Sequence, residues 1–193
     1  MGKGRLEAFS DGVIAILITI MVLEMKVPHG HDLETLLSIW PVFISYVLSF
    51  LYLGIYWNNH HHLLHTVQKV SGGILWANLH LLFWLSLVPF TTGWMGENEF
   101  AQWPVFVYAL NLMLAGGAYF ILSRRIIAVH GRESTLARAV GADRKGQISL
   151  VFYLTAMAAT FISAHAALII AALPAVMWLI PDRRIEAVVS GSH

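Results

Sequence analysis

Four long stretches of this chain contain no Asp, Glu, Lys or Arg, and they leave few folds open. They cover residues 38–57, 70–96, 100–123 and 146–181. A helix that crosses a bilayer needs about 20 consecutive apolar residues, so the first three runs each predict one crossing. The fourth, at 36 residues, would make a single helix about 54 Å long, too long for one. Splitting it near Ser163-Ala164-His165 gives two short helices joined by a tight turn. With the apolar segment near the N-terminus, the expectation is an all-α membrane protein of six helices, over residues 8–26, 37–58, 70–94, 101–125, 145–163 and 165–181. They form a single membrane domain, residues 1–185. Residues 186–193 are read as a tail whose Ser190-Gly191-Ser192-His193 end resembles an expression scar. Composition agrees: the chain is 58% hydrophobic and 12% charged, where soluble domains carry about 25% charged residues.

Six crossings place both termini on one side, and the basic residues say which. Lys3, Arg5, Lys69, the six Lys and Arg between Arg124 and Lys145, and Arg183 with Arg184 share one face, against Lys26 alone on the other. The positive-inside rule makes the basic face cytoplasmic. The loops carrying His29, His31, Asp32 and Glu34, and Glu97 with Glu99, then face outside. A cleaved leader is not expected, because Glu7 and Asp11 interrupt the N-terminal pattern and no small-residue cleavage site follows.

Several chemistries are excluded by what the chain lacks. It has no cysteine, which removes disulfides, thiolate metal sites and cysteine nucleophiles. No basic stripe with interleaved aromatics points to nucleic acid. There is no Walker motif, nucleophile elbow or HExxH, no TVGYG-like filter loop, and no arginine-rich voltage-sensing helix.

The segment from Arg5 to Pro28 is the most informative. Its uncharged part, residues 12–23, would rise only about 18 Å as a helix, well short of the roughly 30 Å hydrocarbon core. Asp11 and Glu24 bracket it. Ionisable groups so near membrane depth are expensive unless they face protein or water, which predicts a helix interior to an assembly. At about 100° per residue, Ile16, Thr19, Ile20 and Leu23 fall on one face. A threonine thus sits in a row of branched aliphatics.

Two polar clusters need weighing. Ser10 and Asp11, with Arg5 and Phe9, could bond neighbouring helices and pin this one; alternatively Ser10 or Asp11 is an ordinary N-cap and Arg5 part of the basic belt. In YWNNHHHLLH, residues His60, His61, His62 and His65 have spacings that a metal centre could use, which would make the protein a membrane metalloenzyme. Such enzymes need several clusters plus carboxylates, and here there is one. The other reading has interfacial histidines bonding Asp11 or Ser10 across a helix pair. Asn78, Asn111 and His165 read as interhelical packing contacts, with Trp76 and His80 the exceptions. Gly116-Gly117 reads as a place of close backbone approach, and Trp94, Trp103 and Trp178 as an interfacial belt.

The segments R-L-E-A-F-S-D-G, I-A-I-L-I-T-I-M-V-L-E and S-F-L-Y-L-G-I-Y-W-N-N-H-H-H-L-L together resemble prokaryotic members of the transmembrane protein 175 family of potassium channels. The resemblance covers the six-helix plan. It implies a channel without a P-loop, in which the first helices of four subunits line the pore; with one repeat per chain, that means a homotetramer in the bilayer. Ile16 then matches the narrowest hydrophobic constriction, Ile20 and Leu23 further apolar layers, and Thr19 the hydroxyl layer tied to cation selectivity. Arg5, Phe9, Ser10 and Asp11 match the network that anchors the pore helix, with His60 or His61 and Trp76 as partners on helices two and three. No cofactor is implied, and potassium is the permeant ion. A proton-conducting pore on the same scaffold stays open as an alternative.

Overall fold

The computed structural model describes residues 2–131, 134, 136–137 and 143–179, and helix is the only regular structure among them. Helix α1, Lys3–Leu23, begins earlier than the sequence suggests. Gly2 stands at its N-cap. Lys3 ties the first turn down, its Nζ donating to the carbonyl of His65 at 2.8 Å and lying 3.7 Å from Glu7 one turn along. Ser10 and Asp11 are therefore mid-helix, and the N-cap alternative for them falls.

After a short helix α2 (Leu33–Ser38), capped by Asp32 through the Thr35 N–H at 2.7 Å, comes α3 (Trp40–His65). That hydrogen bond holds the Asp32 carboxyl below its ordinary range. Helices α4 (Gly72–Ser86) and α5 (Val88–Glu97) together form one apolar span that breaks at Leu87. Pro89 accounts for the break, because its ring cannot donate an N–H and crowds the preceding turn. Two left-handed residues, Glu99 and Phe100, turn the chain into α6 (Gln102–His130). Phe100 is buried there, its ring 5.6 Å from that of Trp40.

Helix α7 (Arg144–Ala159) starts at Asp143, whose side chain accepts from the Gly146 N–H at 3.2 Å. It ends in a turn over residues 160–163, after which α8 (Ala164–Leu179) runs back along it. Ser163 makes the restart, its hydroxyl accepting from the Ala166 N–H at 3.3 Å. The long uncharged run is thus divided where Ser163-Ala164-His165 suggested. Residues 180–193, including Arg183, Arg184 and the C-terminal tail, lie outside the described residues.

Four helices among the described residues are long and apolar enough to cross a membrane: Lys3–Leu23, Trp40–His65, Gly72–Glu97 and Gln102–His130. Their surfaces carry many exposed Phe, Trp, Leu and Ile side chains, as lipid-facing helices do. One core joins α1, α3, α4 and α6 around Ile14, Leu53, Ile74, Leu81 and Leu122. A second joins α3, α5, α6, α7 and α8 around Tyr52, Met95, Tyr108 and Tyr153. Helices α7 and α8 pack on each other and on α6, and α8 also packs on α3.

Between α3 and α5 the backbones nearly touch, and this contact requires glycine at position 96. A Cβ there would lie 2.8 Å from the Cα of Val42. Gly96→Ala is therefore expected to destabilise the protein by about 1–3 kcal/mol through overpacking. Gly93→Ala, where nothing lies within 4 Å, serves as the control. Thermal unfolding in detergent reads the difference; equal midpoints for the two variants would remove the close-packing account.

Candidate functional site

Helix α1 has two faces with different fates. Leu6, Ser10, Ile14, Leu17 and Met21 are buried against α3 and α4. The opposite side is bare within the protomer: Ile16 is 57% exposed, Ile20 37% and Leu23 80%, and Thr19 is exposed between them. The predicted stripe is therefore the unpartnered side of the helix. Thr19 Oγ donates to the carbonyl of Ile16 at 2.8 Å. With its proton directed to the backbone, the hydroxyl presents lone pairs outward.

What holds the buried face is a chain of hydrogen bonds across three helices. Ser10 Oγ donates to the Leu6 carbonyl at 2.9 Å and accepts from Asn78 Nδ2 at 3.0 Å. Asn78 Oδ1 faces His60 Nε2 at 2.7 Å. Since the Asn78 amide nitrogen is engaged with Ser10, its oxygen is the acceptor and His60 Nε2 carries the proton. Ser10, Asn78 and His60 are all buried, at 0%, 0% and 1% exposure. Away from water, each bond is strengthened and each broken one leaves a stranded polar group.

At the rim, Asp11 Oδ1 accepts from Trp57 Nε1 at 3.1 Å. The rings of Trp57 and His61 lie 6.4 Å apart and those of His61 and His65 6.2 Å apart, the latter pair stacked. The consecutive histidines thus point different ways. His60 turns inward to Asn78, while His61 and His65 line an exposed ladder below Trp57. Among the described residues no three His, Cys, Asp or Glu side chains are grouped to hold a metal ion, so the metalloenzyme reading gains nothing from the geometry. At the far end of α1, Lys26 Nζ meets Glu97 Oε1 at 2.8 Å on the surface. The hydrogen bond to Glu97, and then its charge, raise the Lys26 pKa above its ordinary value.

Not all the expected partners converge. Trp76 is 75% exposed and stays outside the network. Arg5 is exposed and Phe9 half-exposed on the protomer surface. His80 accepts from Trp84 Nε1 at 2.9 Å on its own helix. Asn78, read from sequence as simple packing, takes the central place, and Lys3 and Trp57 add contacts that were not anticipated. The periodicity of α4 contains the signal for Asn78. Its buried residues Ile74, Ala77, Asn78, Leu81, Leu82 and Leu85 follow the spacing of one helix face, and Trp76 and His80 fall off it.

A family model described as the endosomal/lysosomal potassium channel TMEM175 matches residues 5–89, which include α3, α4, α1 from its third residue onward and the Ser10–Asn78–His60 chain. A potassium channel of Chryseobacterium sp. (strain P1-3) is 54% identical over 186 residues, covering 96% of this chain and 97% of that protein. The endosomal/lysosomal proton channel TMEM175 of Gallus gallus is 32% identical over 114 residues, which are 53% of this chain and 22% of that one. The crystal structure of a lysosomal potassium-selective channel TMEM175 homolog from Chamaesiphon minutus superposes with a TM-score of 0.79 at 28% identity, covering 93% of this chain and 97% of that chain.

Asn78→Leu removes both bonds and strands the buried His60 N–H, so it is expected to destabilise the protein by about 1–3 kcal/mol. Trp76→Phe is expected to be neutral. Thermal melts of the two variants check this, and a larger loss at Trp76 than at Asn78 would reverse the assignment.

Proposed function

The chain belongs to the TMEM175 channel family, and from that premise we propose that four copies form a potassium-permeable pore lined by their first helices. The observation that carries this reading is the division of α1 into one face fixed by buried hydrogen bonds and one left bare, with Ile16, Thr19, Ile20 and Leu23 on the bare face. Helix α1 is long enough to cross, but Asp11 lies within it and Glu24 at its end, and ionisable groups so placed are poorly suited to lipid. Surrounded by its own copies, it meets other isoleucines instead.

In this reading the Ile16 side chains form the narrowest ring. Packed around an axis they exclude water and close the pore, and rotation or dilation of the helices readmits it, as in a hydrophobic gate. Ile20 and Leu23 add apolar layers. Thr19, whose hydroxyl proton is held by the Ile16 carbonyl, turns oxygen dipoles toward a partly dehydrated cation. Potassium sheds water more readily than smaller ions, so the preference is real but modest. Ser10, Asp11 and His60, with Asn78 and Trp57, anchor the pore helix. Arg5 and Phe9 border the same end, where a neighbouring subunit would meet them. The potassium channels among the relatives support the choice of ion.

Six crossings per subunit complete the picture. Helices α7 and α8 have 16 residues each, about 24 Å of rise, and cross with modest local thinning of the bilayer. The Lys and Arg distribution supports reading both termini as cytoplasmic, in a bacterial membrane like those of the potassium-channel relatives. A second reading, a proton-conducting pore, is favoured by one observation: vertebrate relatives bear the name proton channel. Reversal potentials at varied pH and varied potassium separate the two.

In liposome flux assays, Ile16→Asn is expected to raise leak severalfold. Thr19→Ala is expected to lower the preference for potassium over sodium by roughly 2- to 10-fold, the scale of one hydrogen bond. Unchanged currents in both variants would refute the pore assignment.

A further inference from the structure

Where α3 hands over to α4, one imidazole does what a helix carbonyl would otherwise do. Helix α3 ends at His65, and the N–H groups of Thr66 and Val67 still reach back to the Leu63 and Leu64 carbonyls, at 3.3 and 2.9 Å. The next two N–H groups, of Gln68 and Lys69, have left the helix. Both donate to His130 Nε2 at the end of α6, at 3.0 and 3.1 Å. The other ring nitrogen, Nδ1, lies 2.9 Å from the Ile126 carbonyl one turn back on α6. A carbonyl only accepts, so Nδ1 carries the proton, and the two N–H donors require a lone pair at Nε2. These contacts hold the ring neutral in a single tautomer.

The turn so held, residues 66–71, joins the helix that carries His60 to the helix that carries Asn78. Val67 is buried there in one core with Ile74 and Ile126, and Lys3 of α1 is bonded to the His65 carbonyl. The start of α1 and both helices that clamp it therefore meet at this turn. The charged and titratable groups brought to this end are Lys69 on the turn, His65 on α3, Lys3 with Glu7 on α1, and Arg124 with Arg125 on α6. Residues 134, 136 and 137 add none, and Glu133 lies outside the described residues. Among the described residues no carboxylate pairs with His130. A second proton, on Nε2, would set a donor against two donors and remove both bonds at once. Histidine changes charge between about pH 5 and 8, so the turn is held at neutral pH and released as pH falls.

We propose that His130 is an acid-released latch on the α3–α4 turn, holding the Gln68 and Lys69 N–H groups when neutral and letting them go when Nε2 is protonated. Hydrogen–deuterium exchange of the full-length protein in detergent, read by mass spectrometry, tests it at pD of about 7.5 and 5.5, which straddle ordinary histidine titration. Rates are scaled to the intrinsic exchange of the same peptide at each pD. The turn peptide is expected to exchange about tenfold faster on this scale at the lower value, as for one lost hydrogen bond, while peptides from the middle of α3 stay unchanged. His130→Gln, whose amide oxygen accepts without titrating, should keep the turn protected at both values. His130→Phe, which has no acceptor, should leave it fast at both. Equal protection of the parent turn at the two values would overturn the latch. So would an undiminished pD dependence in His130→Gln, which would assign the effect to His61, His62, His65 or Glu133. Should His130→Phe not fold, the parent and His130→Gln decide between them. The readout is amide exchange and not ion flux, so the latch and the pore fail separately.

Discussion

A hydroxyl, an amide and an imidazole buried together in an apolar bundle can be stable only if each finds a partner, and Ser10, Asn78 and His60 satisfy one another. In a medium where a broken hydrogen bond has no water to replace it, this chain fixes the rotation of α1 about its own axis. Turning the helix by one residue, about 100°, would part Ser10 from Asn78 and leave the buried amide N–H of Asn78 without its acceptor. The orientation of every other α1 side chain follows, including which ones are left bare. The hydrophobic contacts of Leu6, Ile14, Leu17 and Met21 hold the helix against the bundle, but apolar packing is non-directional and would tolerate small rotations that the hydrogen bonds do not.

That fixed rotation gives the bare face its chemistry. Branched aliphatics at Ile16 and Ile20 repel water, and between them Thr19 carries a hydroxyl whose proton is committed to its own helix. A group that can only accept suits a cation better than one free to donate. The bareness of this face is read from solvent exposure within a single protomer, independently of the likeness to other chains.

Much of this architecture is legible in the sequence because two signals are strong. Long uncharged runs mark helices through the high cost of burying charge, and the 3.6-residue period separates the faces of α1. The division at Ser163 is legible for a related reason: 36 uncharged residues exceed one bilayer crossing, so a turn must lie inside them. Other features depend on tertiary context. Lys3 begins α1 early because a carbonyl of α3 waits for its ammonium, which no local pattern reveals. Trp76 is named as a partner through the family resemblance, whereas the periodic buried position on α4 belongs to Asn78. Three consecutive histidines cannot be told apart by composition; the inward heading of His60 is set by where α4 brings its amide.

The break at Leu87 divides a span that touches α1 twice. Below it, α4 holds the first helix through Asn78, in the dry interior. Above it, α5 ends at Glu97, which grips Lys26 at the exposed surface. The two grips differ in stiffness: the inner resists ions and temperature, whereas the outer is softened by any electrolyte that reaches it. The first helix therefore resembles a rod clamped at its foot and tethered at its tip, with a jointed strut between the two holds. Motion in such a rod concentrates at the tip, beside Leu23, and fades toward Ser10.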